Sequence, residues 1–253
     1  MKITFLGTGT SQGVPVIGCR CAVCQSADER DKRLRSSVLI EQGDQLVVID
    51  TGPDFRQQML ASGIAKLNAV LFTHGHRDHI SGLDDIRAFN YLQKSPMDVY
   101  AEERVARALY SGFPYIFAEK KYPGIPQVRM HTITNDFFQI GEMKVVPIRM
   151  MHYRLPVFGF RLGDFAYLTD ANYIPKSEKE KLIGVKHLVV NALRRETHIS
   201  HFTLSEAINL IKELSPRMAY LTHISHQMGR IADLENELPA GIRPAYDGLM
   251  LDL

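Results

Sequence analysis

The chain has 253 residues, 45% of them hydrophobic and 23% charged, with a formal net charge of +2. This is the composition of an ordinary globular protein, and so small a charge does not by itself argue for nucleic acid or an anionic membrane as partner. No apolar run approaches the roughly 20 residues a bilayer span needs, and the apolar part of Met1–Gly7 is too short for a secretory signal; a cytoplasmic protein is expected.

Short apolar runs alternate with helical patterns along the chain, which predicts an α/β fold. Strands are expected at 3–8, 37–41, 46–50, 69–73, 144–150, 158–162, 165–169, 188–191 and 219–222. Helices are expected at 55–61, 83–91, 104–111, 203–214 and 231–238. The clearest helix is 203–214, where Leu204, Ala207, Ile208 and Ile211 fall at helical spacing and Thr203 with Glu206 matches a capping box. Residues 112–129 carry Pro114, Pro123, Gly124 and Pro126 among aromatics and lysines, a density that opposes both helix and central strand. The stretch reads as a surface insertion, serving either as a lid or as a cover on a core edge. No repeat or low-complexity linker divides the sequence, so residues 1–253 are read as one domain.

Thr73-His74-Gly75-His76-Arg77-Asp78-His79 places three histidines and a carboxylate within six residues, directly after the apolar run Ala69–Phe72. On extended backbone alternate side chains share a face, so His74 and His76 can point at one metal ion, and Asp78 and His79, past the turn, at a second. Imidazole and carboxylate together suit zinc, manganese or iron better than magnesium or calcium. Further donors stand where strands run out: Asp50 after Leu46–Ile49, His152 after Met150-Met151, Asp170 after Phe165–Thr169, and His223 after Ala219–Thr222. Such positions converge on one edge of a sheet, where open α/β folds place their sites.

The order strand-Asp50, H-x-H-x-D-H, His152, Asp170, His223 resembles the metallo-β-lactamase superfamily over nearly the whole chain. The resemblance implies a four-layer αβ/βα sandwich with a dinuclear metal site at the sheet edge. It implies that His74, His76 and His152 hold one metal, that Asp78, His79 and His223 hold the other, and that Asp170 bridges them. Asp50 is then the residue that orients ligand imidazoles, a role that affects metal affinity and rate together.

All three cysteines, Cys19, Cys21 and Cys24, lie within six residues, a poor disulfide framework but a suitable set of thiolates for zinc. They follow the glycine-rich Gly7–Gly13, which lacks the G-K-[ST] ending of a phosphate-binding loop. His226 stands three residues past His223. Together these features look like one subfamily, the phosphodiesterases of bacterial phosphonate breakdown that act on phosphoribosyl cyclic phosphate. That resemblance implies a structural zinc held by Cys19, Cys21, Cys24 and His226, a closed tetrahedral set.

The implied reaction is hydrolysis of a small phosphodiester, a cyclic sugar phosphate in the first place. Two divalent ions roughly 3.5–4 Å apart can share the hydroxide that attacks. The leaving alkoxide needs a proton, and comparison with the subfamily gives that role to His201, in the loop ahead of the 203–214 helix. With a pKa near 6.5 an imidazole can serve as that general acid. His201, Asp50 and Asp78 make up the expected catalytic set, and Asp247 is a further candidate for orienting a ligand. The competing readings are a tRNA 3′-end nuclease or a lactonase or thioesterase of the same superfamily. A zinc-stabilised RNA-binding protein is the non-enzyme alternative, disfavoured by the modest charge. The expected partner is a small-molecule phosphodiester rather than nucleic acid or membrane, and the family resemblance implies pairing as a homodimer.

Overall fold

A computed structural model describes residues 1–253. The first six strands are β1 (Lys2–Gly7), β2 (Ser37–Gln42), β3 (Gln45–Ile49), β4 (Ala69–Leu71), β5 (Met97–Glu102) and β6 (Val128–Ile133). Next come β7 (Phe138–Ile140), β8 (Met143–His152), β9 (Leu155–Leu162) and β10 (Phe165–Leu168). The last four are β11 (His187–Asn191), β12 (Met218–Thr222), β13 (Ile242–Pro244) and β14 (Met250–Asp252). The α-helices are α1 (Phe55–Ser62), α2 (Arg77–Ile80), α3 (Arg87–Gln93), α4 (Glu103–Gly112), α5 (Pro114–Phe117), α6 (Lys176–Glu180), α7 (Leu204–Leu214) and α8 (Ile231–Glu237). None is long and apolar enough to cross a membrane.

The chain forms two compact units, each built from separated segments. The first comprises Met1–Leu6, Ser37–Thr134 and Met250–Leu253, and holds the sheet β14-β1-β2-β3-β4-β5-β6. Its strands β3, β4, β5 and β6 are mutually parallel, so β3 and β4 deliver their C-terminal ends to one edge. The runs Val47-Val48-Ile49 and Ala69-Val70-Leu71 are buried throughout, as central parallel strands require. Val48 and Val70 pack with Phe55, Leu83, Phe89, Val105 and Leu109 of the covering helices.

The second unit comprises Gly7–Ser36 and Asn135–Leu249, with the sheet β13-β12-β11-β10-β9-β8-β7. Strands β10 to β13 are parallel, whereas β10–β9 and β9–β8 are antiparallel. Two reversals return β8 to the direction of β10, so β8, β10, β11 and β12 all end at the same edge. Helix α7 covers this sheet with Leu204, Ala207, Leu210 and Ile211. It opens on the expected capping box: Thr203 N–H donates to Glu206 Oε2 at 2.8 Å, and Glu206 N–H to Thr203 Oγ1 at 3.2 Å.

Three departures from the sequence reading have clear causes. The expected strand 69–73 ends at Leu71 because Thr73 N–H leaves the ladder for the Asp50 carboxylate, 2.9 Å away. The expected helix 83–91 divides into a 3-10 turn at Leu83–Ile86 and α3, the Asp85 N–H closing on Gly82 O three residues back. Within 112–129, Pro114 opens the short α5, its missing N–H costing nothing at a first helical position.

Candidate metal centre

In the first unit the imidazoles and carboxylates gather past the ends of β3 and β4. Asp50, one residue beyond β3, adopts φ of 65°, a conformation that side chains other than glycine avoid unless something holds them there. Its backbone N–H donates to Leu71 O at 2.8 Å, and Thr51 N–H donates to His79 O at 2.8 Å. The fully buried Asp50 carboxylate accepts from Thr73 N–H at 2.9 Å, Thr73 Oγ1 at 2.7 Å and His79 Nδ1 at 2.7 Å. Burial pushes this carboxyl up from the usual range, against the pull of the His79 imidazole and the two Thr73 donors.

These bonds decide which nitrogen the His74 and His79 imidazoles commit to the protein. The acceptor on His79 Nδ1 places the proton there, and Asp78 Oδ2 lies 3.3 Å from Nε2. Thr73 Oγ1 spends its proton on Asp50 and is left to accept from His74 Nδ1, 3.0 Å away. The His74 ring centroid lies 4.6 Å from that of His76 and 4.2 Å from that of His79. Gly75 is required between the two histidines because a Cβ there would lie 2.9 Å from Ala108 Cβ on α4.

The second unit presents its donors at the shared edge of β8, β10 and β12. His152 is the last residue of β8, and its Nδ1 donates to Ser200 O at 2.9 Å. Asp170 and His223, just past β10 and β12, adopt φ of 57° and 55°. His223 Nδ1 lies 2.8 Å from Asp170 Oδ1 and 3.3 Å from Ser36 Oγ. Asn191 at the end of β11 clamps the Asp170 loop, accepting from Ala171 N–H at 2.8 Å and donating to Ala171 O at 3.0 Å. Ser36 and Asn191, like Thr73, were not singled out in the sequence; only Thr73, adjacent to the histidine run, offered a signal.

His201 is buried, its ring 4.6 Å from His152, 4.8 Å from His223 and 5.1 Å from His198. Ligand-type atoms of His152, Asp170 and His201 lie within 4.8 Å of one another. Burial, with His223 adding to it, pushes the His201 imidazole down to about 3, far from the ordinary value assumed from sequence. Asp247 is half-buried, accepting from Thr8 Oγ1 at 2.7 Å and from Leu34 N–H at 2.6 Å.

The cysteine set lies in this unit as well. His226 Nδ1 is 3.3 Å from Cys19 Sγ, 3.4 Å from Cys21 Sγ and 3.6 Å from Cys24 Sγ. The S–N edge of a tetrahedron with zinc bond lengths of about 2.3 and 2.05 Å is about 3.6 Å, so the donors stand at nearly the separation a zinc ion sets. Cys24 N–H, donating to Cys21 Sγ at 3.4 Å, draws the Cys21 thiol down to about 6, whereas burial pushes Cys24 up to about 11.

The donor chemistry fits divalent metal in both units: imidazoles of His79, His152 and His223 with Nδ1 engaged, and carboxylates held beside His79 and His223. Such donors, on loops past the strand ends of an α/β fold, suit a metal centre. Residues 45–224 match the family described as Beta-lactamase superfamily domain. The chain belongs to that superfamily and has the metallo-β-lactamase fold.

The crystal structure of a new diphosphatase from the PhnP family is 41% identical, covering 100% of this chain and 97% of that one, with a TM-score of 0.93. Human tRNase Z, short form, is similar at a TM-score of 0.75 and 18% identity over 100% of this chain and 99% of that one, a likeness of fold alone. Among curated relatives, an octanoyltransferase of Porphyromonas gingivalis is 41% identical over 98% of this chain but only 51% of its own length. A ribonuclease Z of Thermosynechococcus vestitus is 30% identical over 65% of this chain and 37% of its own. The chain thus spans about half the length, or less, of these two relatives.

Proposed function

We propose that this hydrolase cleaves a small phosphodiester, a cyclic sugar phosphate in the first place, using two divalent cations of zinc, manganese or iron type. The observation that carries the reading is the 41% identity, over nearly the full length of both chains, to a diphosphatase of the PhnP family, a name that implies attack at phosphorus. On the family resemblance, His74, His76 and His152 hold one ion, Asp78, His79 and His223 the other, and Asp170 serves both. When bound, the ions supply Lewis acidity that activates water and takes up charge on phosphoryl oxygens.

The protein's own contribution is orientation and a proton. Asp50 fixes His79 directly and His74 through Thr73, so two imidazoles keep one tautomer without reorganising. His201 is the general acid, giving its proton to the departing sugar oxygen. Burial, with His223 adding to it, disfavours its charged form; the negative charge of a diester beside it would raise its affinity for the proton. The Cys19, Cys21, Cys24 and His226 set holds a structural zinc and pins the cysteine loop to the segment just past His223.

A second reading has a specific support: the similar crystal structure is named a diphosphatase, so the bond broken can be a phosphoanhydride. A phosphate leaving group is far less basic than an alkoxide and makes little demand on a general acid. Turnover of the metal-defined protein on a cyclic sugar phosphate, a linear diester and a diphosphate ester tests the proposal. Preference for the cyclic diester supports it, and hydrolysis confined to the diphosphate replaces it with the second reading.

A further inference from the structure

Asn172, not singled out in the sequence, joins three loops of the second unit. Its backbone N–H donates to Met151 O at 2.9 Å, and Met151 N–H donates to Tyr173 O at 2.8 Å. Its side-chain Oδ1 accepts from Tyr153 N–H at 2.8 Å, and its Nδ2 donates to Ile199 O at 3.1 Å. One amide thus reaches from the β8–β9 turn, directly past His152, to the loop that carries His201.

The turn needs a hold. Tyr153, the first of the two residues between β8 and β9, adopts φ of 56°. Tight hairpins fill that position with glycine or asparagine, and a bulky side chain avoids it. The loop needs one too, because His201 Nδ1 is buried without a hydrogen-bond partner and the ring is placed by the segment that bears it. Two hydrogen bonds reach into residues 198–201 from outside the loop: His152 Nδ1 to Ser200 O at 2.9 Å, and Asn172 Nδ2 to Ile199 O. Running side by side, the links 152–200 and 153–172–199 brace the 4.6 Å spacing of the His152 and His201 rings. An amide is what the second link requires, since one atom accepts an N–H while the other donates to a carbonyl. Both of its bonds lie at the surface, where water replaces them, so they contribute little to overall stability.

We propose that Asn172 is a positioning residue for the general acid, holding the 198–201 loop against the β8–β9 turn so that His201 keeps within reach of the departing oxygen. The inference rests on the general-acid reading of His201. Catalysis tolerates little error in placement, a shift of about 1 Å costing on the order of 10²-fold.

The test compares Asn172→Ala and Asn172→Asp in metal-loaded protein, where both should keep the parent's metal content. The aspartate retains an acceptor for Tyr153 N–H and loses the donor to Ile199 O, so it opens the loop half of the link alone. Hydrogen exchange over residues 197–201 should quicken in both variants. Turnover of a cyclic sugar phosphate should fall about 10–100-fold in both, with turnover of bis(p-nitrophenyl) phosphate nearly unchanged. In a His201→Ala background the same substitutions should add nothing to the loss already present. Exchange at the parent rate, parent-like turnover by Asn172→Asp, or losses that add to those of His201→Ala overturn the positioning role. A leaving-group effect in His201→Ala that neither Asn172 variant reproduces keeps the acid and also overturns it. Quickened exchange, with His201→Ala slowing both substrates alike, leaves the clamp standing and removes the general acid.

Discussion

The Asp50 carboxylate lies 2.7 Å from His79 Nδ1, both side chains wholly buried. The same carboxylate takes two hydrogen bonds from Thr73, so a single group orders the segment that carries His74 and His79. Asp50→Ala strands three buried donors and should cost about 3 kcal/mol or more of stability. Asp50→Asn, which keeps the shape, should fold and lose about 10–100-fold in metal affinity, read by titration against a competing chelator. Metal affinity equal to the parent protein's would remove Asp50 from the orienting role.

His201→Ala should retain the full metal complement by elemental analysis. It should slow release of an alkoxide about 10²–10⁴-fold while slowing release of p-nitrophenolate far less, because that leaving group hardly needs a proton. Equal losses on both substrates would dismiss the general acid, and loss of metal would make His201 a ligand beside His152 and Asp170.

Cys21→Ser should lower the zinc content by one ion per chain and reduce the melting temperature, with the catalytic metals retained. The three sulfurs stand within 3.6 Å of His226 Nδ1, and removing one leaves a set that no longer closes around the ion. A normal melting curve with unchanged zinc would refute the structural site.

Asp247 has a signed pH dependence. Burial raises its carboxyl from 3.8 to about 6. A raised folded value means that its stabilising effect is complete below about 4 and is lost as pH climbs through about 6, a change on the order of 3 kcal/mol. Denaturant unfolding of the parent protein and Asp247→Asn from pH 4 to 7 should show the parent losing stability relative to the variant across that window. Parallel curves would show that Asp247 titrates as it does in the unfolded chain.

Much of the architecture was legible from local pattern. Apolar runs marked β3, β4, β8, β10 and β12, and Thr203 with Glu206 marked the start of α7. Strand β5 was missed although its burial alternates residue by residue, and the edge strand β6 has too few buried positions to announce itself. The short α5 was hidden by the prolines around it.

By itself the sequence determined which donors stand at the ends of which strands, because strand length and the spacing of H-x-H-x-D-H are local properties of the backbone. It also determined that three thiols lie within reach of one another. Only the tertiary structure decided which nitrogen an imidazole commits to a hydrogen bond, since that depends on partners 29 to 48 residues away, such as Asp50 for His79 and Ser200 for His152. It alone brought His226 to cysteines more than 200 residues earlier, and buried His201 deeply enough to move its proton affinity. Hydrogen bonding and desolvation act through space, and no local spacing encodes them.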